Sequence, residues 1–174
     1  MRKAAVEAAV NDMIKWFSNN EGLVAVLDAT NSTKDRRRWI QECCEAAGIE
    51  TLFVESKCDD EELIMSNIKE VKTTSPDYVG QDPEVAAQDF RERIRNYEKV
   101  YQTLDEDESD LTYCKLIDVG GQVVINKLKD YLQSRYAQAC CGNVSHCPYS
   151  DTSVGSFTIS CAYTSSHAQF GSLV

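Results

Sequence analysis

The chain opens with apolar residues at helical spacing. Val6, Val10, Met13, Ile14 and Phe17 share one face of a helix predicted over residues 4–19, and Gly22 lies just past its end. The period then changes. Leu23 to Leu27 is a short continuous apolar run, as expected of a strand buried on both faces. Helical spacing returns from about Thr33 to Ala47, with Trp39, Ile40, Cys43 and Cys44 inward and Gly48 as the stop. Thr51 to Glu55 reads as a second strand, and Asp59 or Asp60 caps a helix running to about Lys72, which Ser75-Pro76-Asp77 breaks. Asp82-Pro83 starts a long helix with a capping acid and a first-turn proline. Its apolar stripe is Val85, Phe90, Ile94, Tyr97, Tyr101 and Leu104, and the acidic stretch Asp105 to Glu108 beyond it is expected to be a solvated loop. Tyr113 to Val119 is a third strand, and Gly120-Gly121 turns the chain. Val123 to Ile125 forms a short strand before a helix from about Asn126 to Ala137. This alternation predicts an α/β fold on a mostly parallel sheet.

The pattern stops near residue 138. Residues 1–137 hold 27 of the 28 acids and all 18 Lys and Arg, whereas 138–174 carry one formal charge, Asp151, with four Cys, both His and eight Ser. A folded surface normally needs charge, so two units are expected: 1–137 as a domain and 138–174 as a divergent, poorly ordered tail. Within the tail, Phe157 to Tyr163 has the makings of a sticky strand. Cys140, Cys141, His146, Cys147, Cys161 and His167 are residue types that bind Zn²⁺, but their spacing fits no metal motif, so no metal site is assigned.

The 174 residues suffice for one domain with a sizeable core. No apolar run approaches the length of a membrane span, and charges within the first helical pattern argue against a secretory leader. The formal net charge of −10 argues against a nucleic-acid backbone as partner, though not against small anions. Eight cysteines raise the possibility of a disulfide framework, but Cys43, Cys44, Cys58 and Cys114 sit in helical or strand-like patterns. Free thiols in a reducing cytosol are expected.

In an open parallel sheet, ligands bind beyond the carboxyl ends of the strands. Asp28 stands there after the first apolar run, followed by a polar turn, Ala29 to Thr33, that feeds a helix whose free N–H groups suit an anion. Asp28 is suited either to accept a proton or hold hydrated Mg²⁺, or simply to order the turn. Of Lys34, Arg36, Arg37 and Arg38, one or two can face a site, and the rest are expected in solvent. Cys58 ends the second strand as an active-site residue or a buried thiol, and Lys72 is either a dipole partner or a cation for a phosphoryl group. Arg93 and Tyr97, four apart, share a helical face that fits either a sugar phosphate or a cation packed on a ring.

The ordered set Val24 to Asn31, Phe53 to Asp60, Asn67 to Lys72, Ser75 to Tyr78 and Ile117 to Gly120 resembles the kinase domain of the 6-phosphofructo-2-kinase/fructose-2,6-bisphosphatase family over about residues 2–136. The resemblance implies a three-layer, P-loop NTPase-like fold, truncated at its N-terminal side. It also implies ATP- and Mg²⁺-dependent phosphorylation of the 2-hydroxyl of fructose 6-phosphate to fructose 2,6-bisphosphate, a regulator of glycolysis. Carried over by position, Asp28 and Cys58 match active-site residues. Arg2, Thr30, Arg36, Lys72, Arg93 and Tyr97 match fructose 6-phosphate ligands, and Asn67, Ile68, Lys69, Glu70, Val71 and Lys72 match an ATP-contacting stretch.

The sequence departs from the family pattern in three ways. It has no Gly-x-x-x-x-Gly-Lys-Ser/Thr run, which the family carries on a central strand ahead of the matched region, and no Arg-His-Gly phosphatase motif. The resemblance also ends near Tyr136. The expectation is therefore either a fructose 6-phosphate 2-kinase domain or a non-catalytic fragment that binds sugar phosphate weakly or pairs with an intact subunit; the expected assembly is a homodimer or such a pairing. A different small phosphate-loop kinase, one acting on a polynucleotide end, is disfavoured by the acidic charge.

Overall fold

The computed structural model describes residues 2–69, 82–118, 121–128 and 157–163. In chain order the elements are α1 (Arg2–Ser18), β1 (Val24–Leu27), α2 (Lys34–Ala46), β2 (Glu50–Lys57), α3 (Glu61–Asn67) and α4 (Pro83–Glu98). A 3-10 turn (Glu106–Glu108) precedes β3 (Tyr113–Ile117), β4 (Gln122–Asn126) and β5 (Phe157–Tyr163). The five strands form one sheet in the order β1-β5-β2-β3-β4. β2 and β3 are parallel, and β1 and β2 are each antiparallel to β5. The three strands predicted from apolar runs therefore share one direction, whereas β4 and β5 oppose it. The α/β class stands. The sheet is mixed rather than mostly parallel, because the antiparallel pairings bring in a hairpin strand and a strand from beyond residue 138.

Local chemistry explains the helix starts. Thr33 Oγ1 accepts the Arg36 N–H, Asp60 Oδ1 accepts Glu62 and Leu63, and Asp82 Oδ1 accepts Glu84 and Val85 ahead of Pro83. Past α2, the N–H groups of Ala47, Gly48 and Ile49 return to the carbonyls of Cys44 and Glu45, with Gly48 at φ +70° as glycine allows. Gly22 has a different reason to lack a side chain: a Cβ there would lie 2.0 Å from the Trp16 ring. The helix predicted to run to about Lys72 is α3, continued at Ile68 and Lys69 by a wider π-type turn. The 75–77 break and residues 129–137 of the last predicted helix lie outside the described residues. Asn126 closes β4 rather than opening a helix, and Lys127 has φ +53°.

The main core joins α1, α2 and one face of the sheet. Val10, Met13 and Phe17 meet Ile40 and Cys44, together with Phe53 of β2 and Tyr113 of β3. The opposite sheet face carries Leu52, Val54, Cys114 and Leu116, all packed near Leu128. A separate cluster of Cys58, Ile64, Ile68, Ala87 and Ile94 joins the end of β2 to α3 and α4. Burial corrects two expectations. Val26 is 40% exposed because Ala25 and Leu27 take the face toward the α1–α2 core and Val26 the opposite one, so the apolar run is not covered on both faces. The buried stripe of α4 is Ala86, Ala87, Arg91 and Ile94, while Val85 and Tyr97 face out. Residues 157–163, from the low-charge stretch, pair into the sheet between β1 and β2 as β5.

Two buried carboxylates hold the loop between α4 and β3. Glu55, fully buried on β2, accepts from Tyr101 Oη (2.6 Å), Thr103 Oγ1 (2.7 Å) and the Leu104 N–H (3.2 Å), with Lys115 Nζ at 3.5 Å. Glu108 accepts from the Nε (2.8 Å) and Nη2 (2.5 Å) of Arg37, whose Nη1 donates to the Asn31 carbonyl (3.0 Å). Arg37 and Glu108 are essentially excluded from solvent. The acidic stretch is thus not a solvated loop throughout, and the basic run of α2 sends one guanidinium inward. Arg37, Ile40 and Cys44 lie at i, i+3 and i+7, on the buried helix face.

Removing one partner of a buried pair strands the other charge. Arg37→Ala is expected to destabilise the fold by about 3–5 kcal/mol. Arg37→Met combined with Glu108→Leu should recover most of that loss. Equilibrium urea unfolding of the three proteins measures both quantities, and equal losses in the single and double variants would contradict the pairing.

Candidate active site

Because β1, β2 and β3 run the same way, the chain leaves all three at one edge of the sheet, at Asp28, Cys58 and Asp118. The edge is not level. Leu27 and Phe53 both pair with Ser160, so Cys58 lies five positions beyond the level of Leu27. At strand rise and spacing this sets Cys58 about 16 Å further along the sheet and about 10 Å across from the end of β1.

Beyond the ends of β2 and β3 the chain is knotted by short polar contacts. The Asp118 N–H donates to the Lys57 carbonyl (2.9 Å), and the Asp59 N–H donates to Asp118 Oδ1 (3.2 Å). Asp118 holds φ +49°, a left-handed conformation that aspartate tolerates better than most residues. Lys57 Nζ pairs with Asp59. Beside this knot lies a hollow of about 440 Å³, lined by residues that include Lys57, Cys58, Asp59, Arg91, Tyr101 and Thr103.

The polar groups of the hollow are committed to one another. Arg91 is buried, grips Glu61 through Nε (2.8 Å) and Nη2 (2.6 Å), and reaches Glu98 through Nη1 (3.1 Å). This lowers the pKa of Glu61 below the usual carboxylate range, chiefly through the hydrogen bond. Tyr101 and Thr103 hydroxyls donate to Glu55. Cys58 is 6% exposed, and burial, reinforced by Asp118, Asp60 and Asp59, pushes its thiol pKa up. At neutral pH Cys58 is thus a protonated thiol and a weak nucleophile.

Of the predicted site residues that are described, Cys58 is the one brought to this hollow. Asp28 and Thr30 are exposed on the turn after β1, and Arg36 is half-buried on α2. Arg93 and Tyr97 do share an exposed face of α4, where Arg93 pairs with Asp89 at 3.1 Å. Ile68 is fully buried in the α3–α4 cluster, and Lys69 bridges to Glu84 at 2.7 Å. Arg2 opens α1 and Asn67 closes α3. Glu70, Val71 and Lys72 lie outside the described residues. Sequence reasoning missed Lys57, Asp59, Arg91 and Asp118. Arg91 was within reach, since it stands at i+4 from Ala87 and i−3 from Ile94, on the buried face of α4.

The start of α2 differs from the expected anion cradle. The Lys34 N–H donates to Gln102 Oε1 (2.9 Å), the Arg36 N–H to Thr33 Oγ1 (3.3 Å) and the Arg37 N–H to the Thr33 carbonyl (3.1 Å). Lys34 Nζ is bound by Asp105 (2.8 Å) and Asp107 (2.9 Å). Two carboxylates at a helix start repel a phosphate. Among the described residues no group of three His, Cys, Asp or Glu is placed to hold a metal ion. With its first-turn groups engaged in this way, the start of α2 does not by itself fit an ATP phosphate. The described cysteines, Cys43, Cys44, Cys58 and Cys114, are free thiols, and no described helix is long and apolar enough to cross a membrane.

Iodoacetamide at pH 7.5 is expected to label Cys58 much more slowly in the folded protein than in urea, with Cys44, whose pKa is pushed up to about 11 by burial, slower still. Peptide mapping reads both rates. Equal labelling in the folded and unfolded chains would contradict the burial. A pH test addresses the α2 clamp. The Lys34 hydrogen bond lowers the Asp105 pKa below 3.8, so its stabilising contribution is present above that value and is lost as pH falls through the depressed one. Asp105→Asn keeps a capping side chain but removes the charge. Its thermal midpoint should lie below that of the parent at pH 7, with the gap closing below pH 3.8. A pH-independent gap would show that the charge is not responsible.

Comparison with known proteins agrees with this architecture. The 6-phosphofructo-2-kinase family model matches residues 1–140. A Saccharomyces cerevisiae protein named fructose-2,6-bisphosphatase is 46% identical over 136 residues, covering 78% of this chain and 30% of the relative. The 6-phosphofructo-2-kinase/fructose-2,6-bisphosphatase 4 of Rattus norvegicus is 48% identical over 136 residues, covering 78% and 29% respectively. The form 1 enzyme of Rattus norvegicus is 46% identical over 138 residues, covering 79% and 29%. The chain thus spans about 30% of the length of the curated relatives it matches. On the extent and identity of these matches, the chain belongs to the 6-phosphofructo-2-kinase family.

Proposed function

We propose that this chain supplies the sugar-phosphate side of a 6-phosphofructo-2-kinase, the ATP- and Mg²⁺-dependent enzyme that converts fructose 6-phosphate to fructose 2,6-bisphosphate. The observation that carries the reading is the family match across residues 1–140, within which Asp28, Thr30, Cys58, Arg36, Arg93 and Tyr97 retain the expected residue types. Arg93 and Tyr97, exposed together on α4, offer a guanidinium and a phenol to a phosphorylated hexose. Asp28 at the end of β1 suits a hydroxyl acceptor or a hydrated cation. In this reading the activity is cytosolic, and the chain forms a homodimer or pairs with an intact family subunit. Residues 1–137 form the kinase-like unit in this reading, with 138–174 appended to it.

A second reading has its own support. No Gly-x-x-x-x-Gly-Lys-Ser/Thr run is present, and the first turn of α2 is occupied by Thr33, Gln102 and two carboxylates. By itself the 174-residue chain then binds sugar phosphate without turning it over. Loss of a single preorganised donor already costs ~10²–10³ in rate, and a whole phosphate loop supplies several.

Calorimetry with fructose 6-phosphate, alongside an assay for fructose 2,6-bisphosphate with ATP and Mg²⁺, separates the readings. Measurable binding that Arg93→Ala weakens about tenfold or more, with little product, fits the sugar-side role without turnover. Product at the rate of an intact family kinase domain would eliminate the non-catalytic reading. Absence of both binding and product would eliminate the sugar-phosphate role.

A further inference from the structure

β1 and β2 are consecutive strands of one direction, joined by α2, yet they do not touch in the sheet. A single strand's width separates them, and β5 fills it. Three features set β5 apart. It runs against both neighbours, and it comes from the nearly uncharged stretch beyond residue 138, outside the family match. It is also the sole sheet partner of β1 among the described residues. Its ladder covers seven positions of β2, Glu50 to Ser56, and all four of β1. Both faces of β2 are covered along this stretch, with Thr51, Leu52, Phe53, Val54 and Glu55 all buried.

We propose that the gap between β1 and β2 is a strand-acceptor slot, that the chain's own residues 157–163 are its occupant, and that this occupancy ties β1 and the Asp28 turn to the rest of the sheet.

The chemistry of the segment suits the role. Phe-Thr-Ile-Ser-Cys-Ala-Tyr has no charge, no proline and no glycine, and is rich in β-branched and aromatic residues. A strand between two neighbours must find a partner for each backbone group, which two ladders provide. Such a segment left exposed would be an aggregation hazard, whereas one locked between two strands is not. The slot also tolerates either strand direction, since the facing edges of β1 and β2 offer backbone N–H and C=O groups rather than specific side chains. Thirty residues, 127–156, lie between β4 and β5, enough chain to reach the slot without dictating direction. This inference does not depend on the proposed activity.

The register supplies a test in the full chain. Cys161 is paired with Val26 on one side and with Leu52 on the other. Facing Cα atoms in an antiparallel ladder are about 4.5–5.5 Å apart, within disulfide reach. Mild oxidation of Val26→Cys and, separately, of Leu52→Cys should give intramolecular bonds to Cys161, identified by peptide mapping. Val24→Cys, whose partner is Tyr163, should give far less. Oxidising a mixture of isotopically light and heavy chains distinguishes the source of the strand. Hybrid pairs in place of intramolecular ones would overturn the assignment of the chain's own segment as occupant. Failure of both Val26→Cys and Leu52→Cys to trap Cys161, or trapping by Val24→Cys to the same extent, would overturn the slot itself. In Ile159→Pro, amide exchange should lose protection at 24–27 while 113–117 keep theirs. Retained protection at 24–27 would show that β1 does not depend on β5. If that variant fails to fold, the cross-links, made with β5 intact, decide the matter.

Discussion

The Glu55 carboxylate is the interaction on which the arrangement turns. It is buried on β2 and accepts three hydrogen bonds from Tyr101, Thr103 and Leu104, with Lys115 of the adjacent strand close by. A carboxylate taken out of water is costly unless its lone pairs are met, so residues 101–104 are held to the sheet with little freedom. That fixed loop does two further things. Gln102 donates its N–H to the Ser32 carbonyl and accepts the Lys34 N–H, which seats the start of α2. Tyr101 and Thr103 form one wall of the hollow beside Cys58. One buried acid thereby connects the sheet, the helix that follows β1 and the candidate site.

The same logic explains why the site is rich in cations yet offers so few of them outright. The chain carries ten more acids than bases, and its structure matches basic groups to carboxylates one by one. Arg37 goes to Glu108, Arg91 to Glu61 and Glu98, Lys34 to Asp105 and Asp107, and Lys57 to Asp59. In a partly desolvated rim each pairing is stronger than it would be in water, and an incoming phosphate must compete with it. Family membership and local geometry therefore speak to different properties. The first identifies the reaction class to which the residues are related. The second shows that the described residues do not yet form a phosphate cradle.

Much of the fold was legible because its signals are local. Thr33, Asp60 and Asp82 cap their helices as side-chain chemistry requires, and Gly48 ends α2 in the conformation that favours glycine. The apolar runs at 23–27, 51–55 and 113–119 gave three strands in one direction. What failed was any reading that depended on a partner far along the chain. Arg37 looked like surface charge because Glu108, 71 residues away, is invisible to helical periodicity. The 105–108 run looked solvated for the same reason. Val26 looked buried because a run of apolar residues does not reveal whether both faces of its strand will be covered.

The candidate site divides along the same line. Cys58 could be placed at a strand end from sequence, and the Arg93–Tyr97 pairing on one helical face follows from a spacing of four. Whether those positions share a hollow could not be read, because it depends on strand register. By itself the sequence determined the four described helices, the Asp60 and Asp82 caps, the three strand segments of one direction and the family, all of which arise from contacts within a few residues or from ordered motifs. Only the tertiary structure decided which charges are buried, how far the Asp28 turn stands from Cys58, and that an uncharged strand from beyond residue 138 lies between β1 and β2. Those outcomes are set by backbone ladders and desolvated ion pairs between distant segments, and neither leaves a periodic trace along the chain.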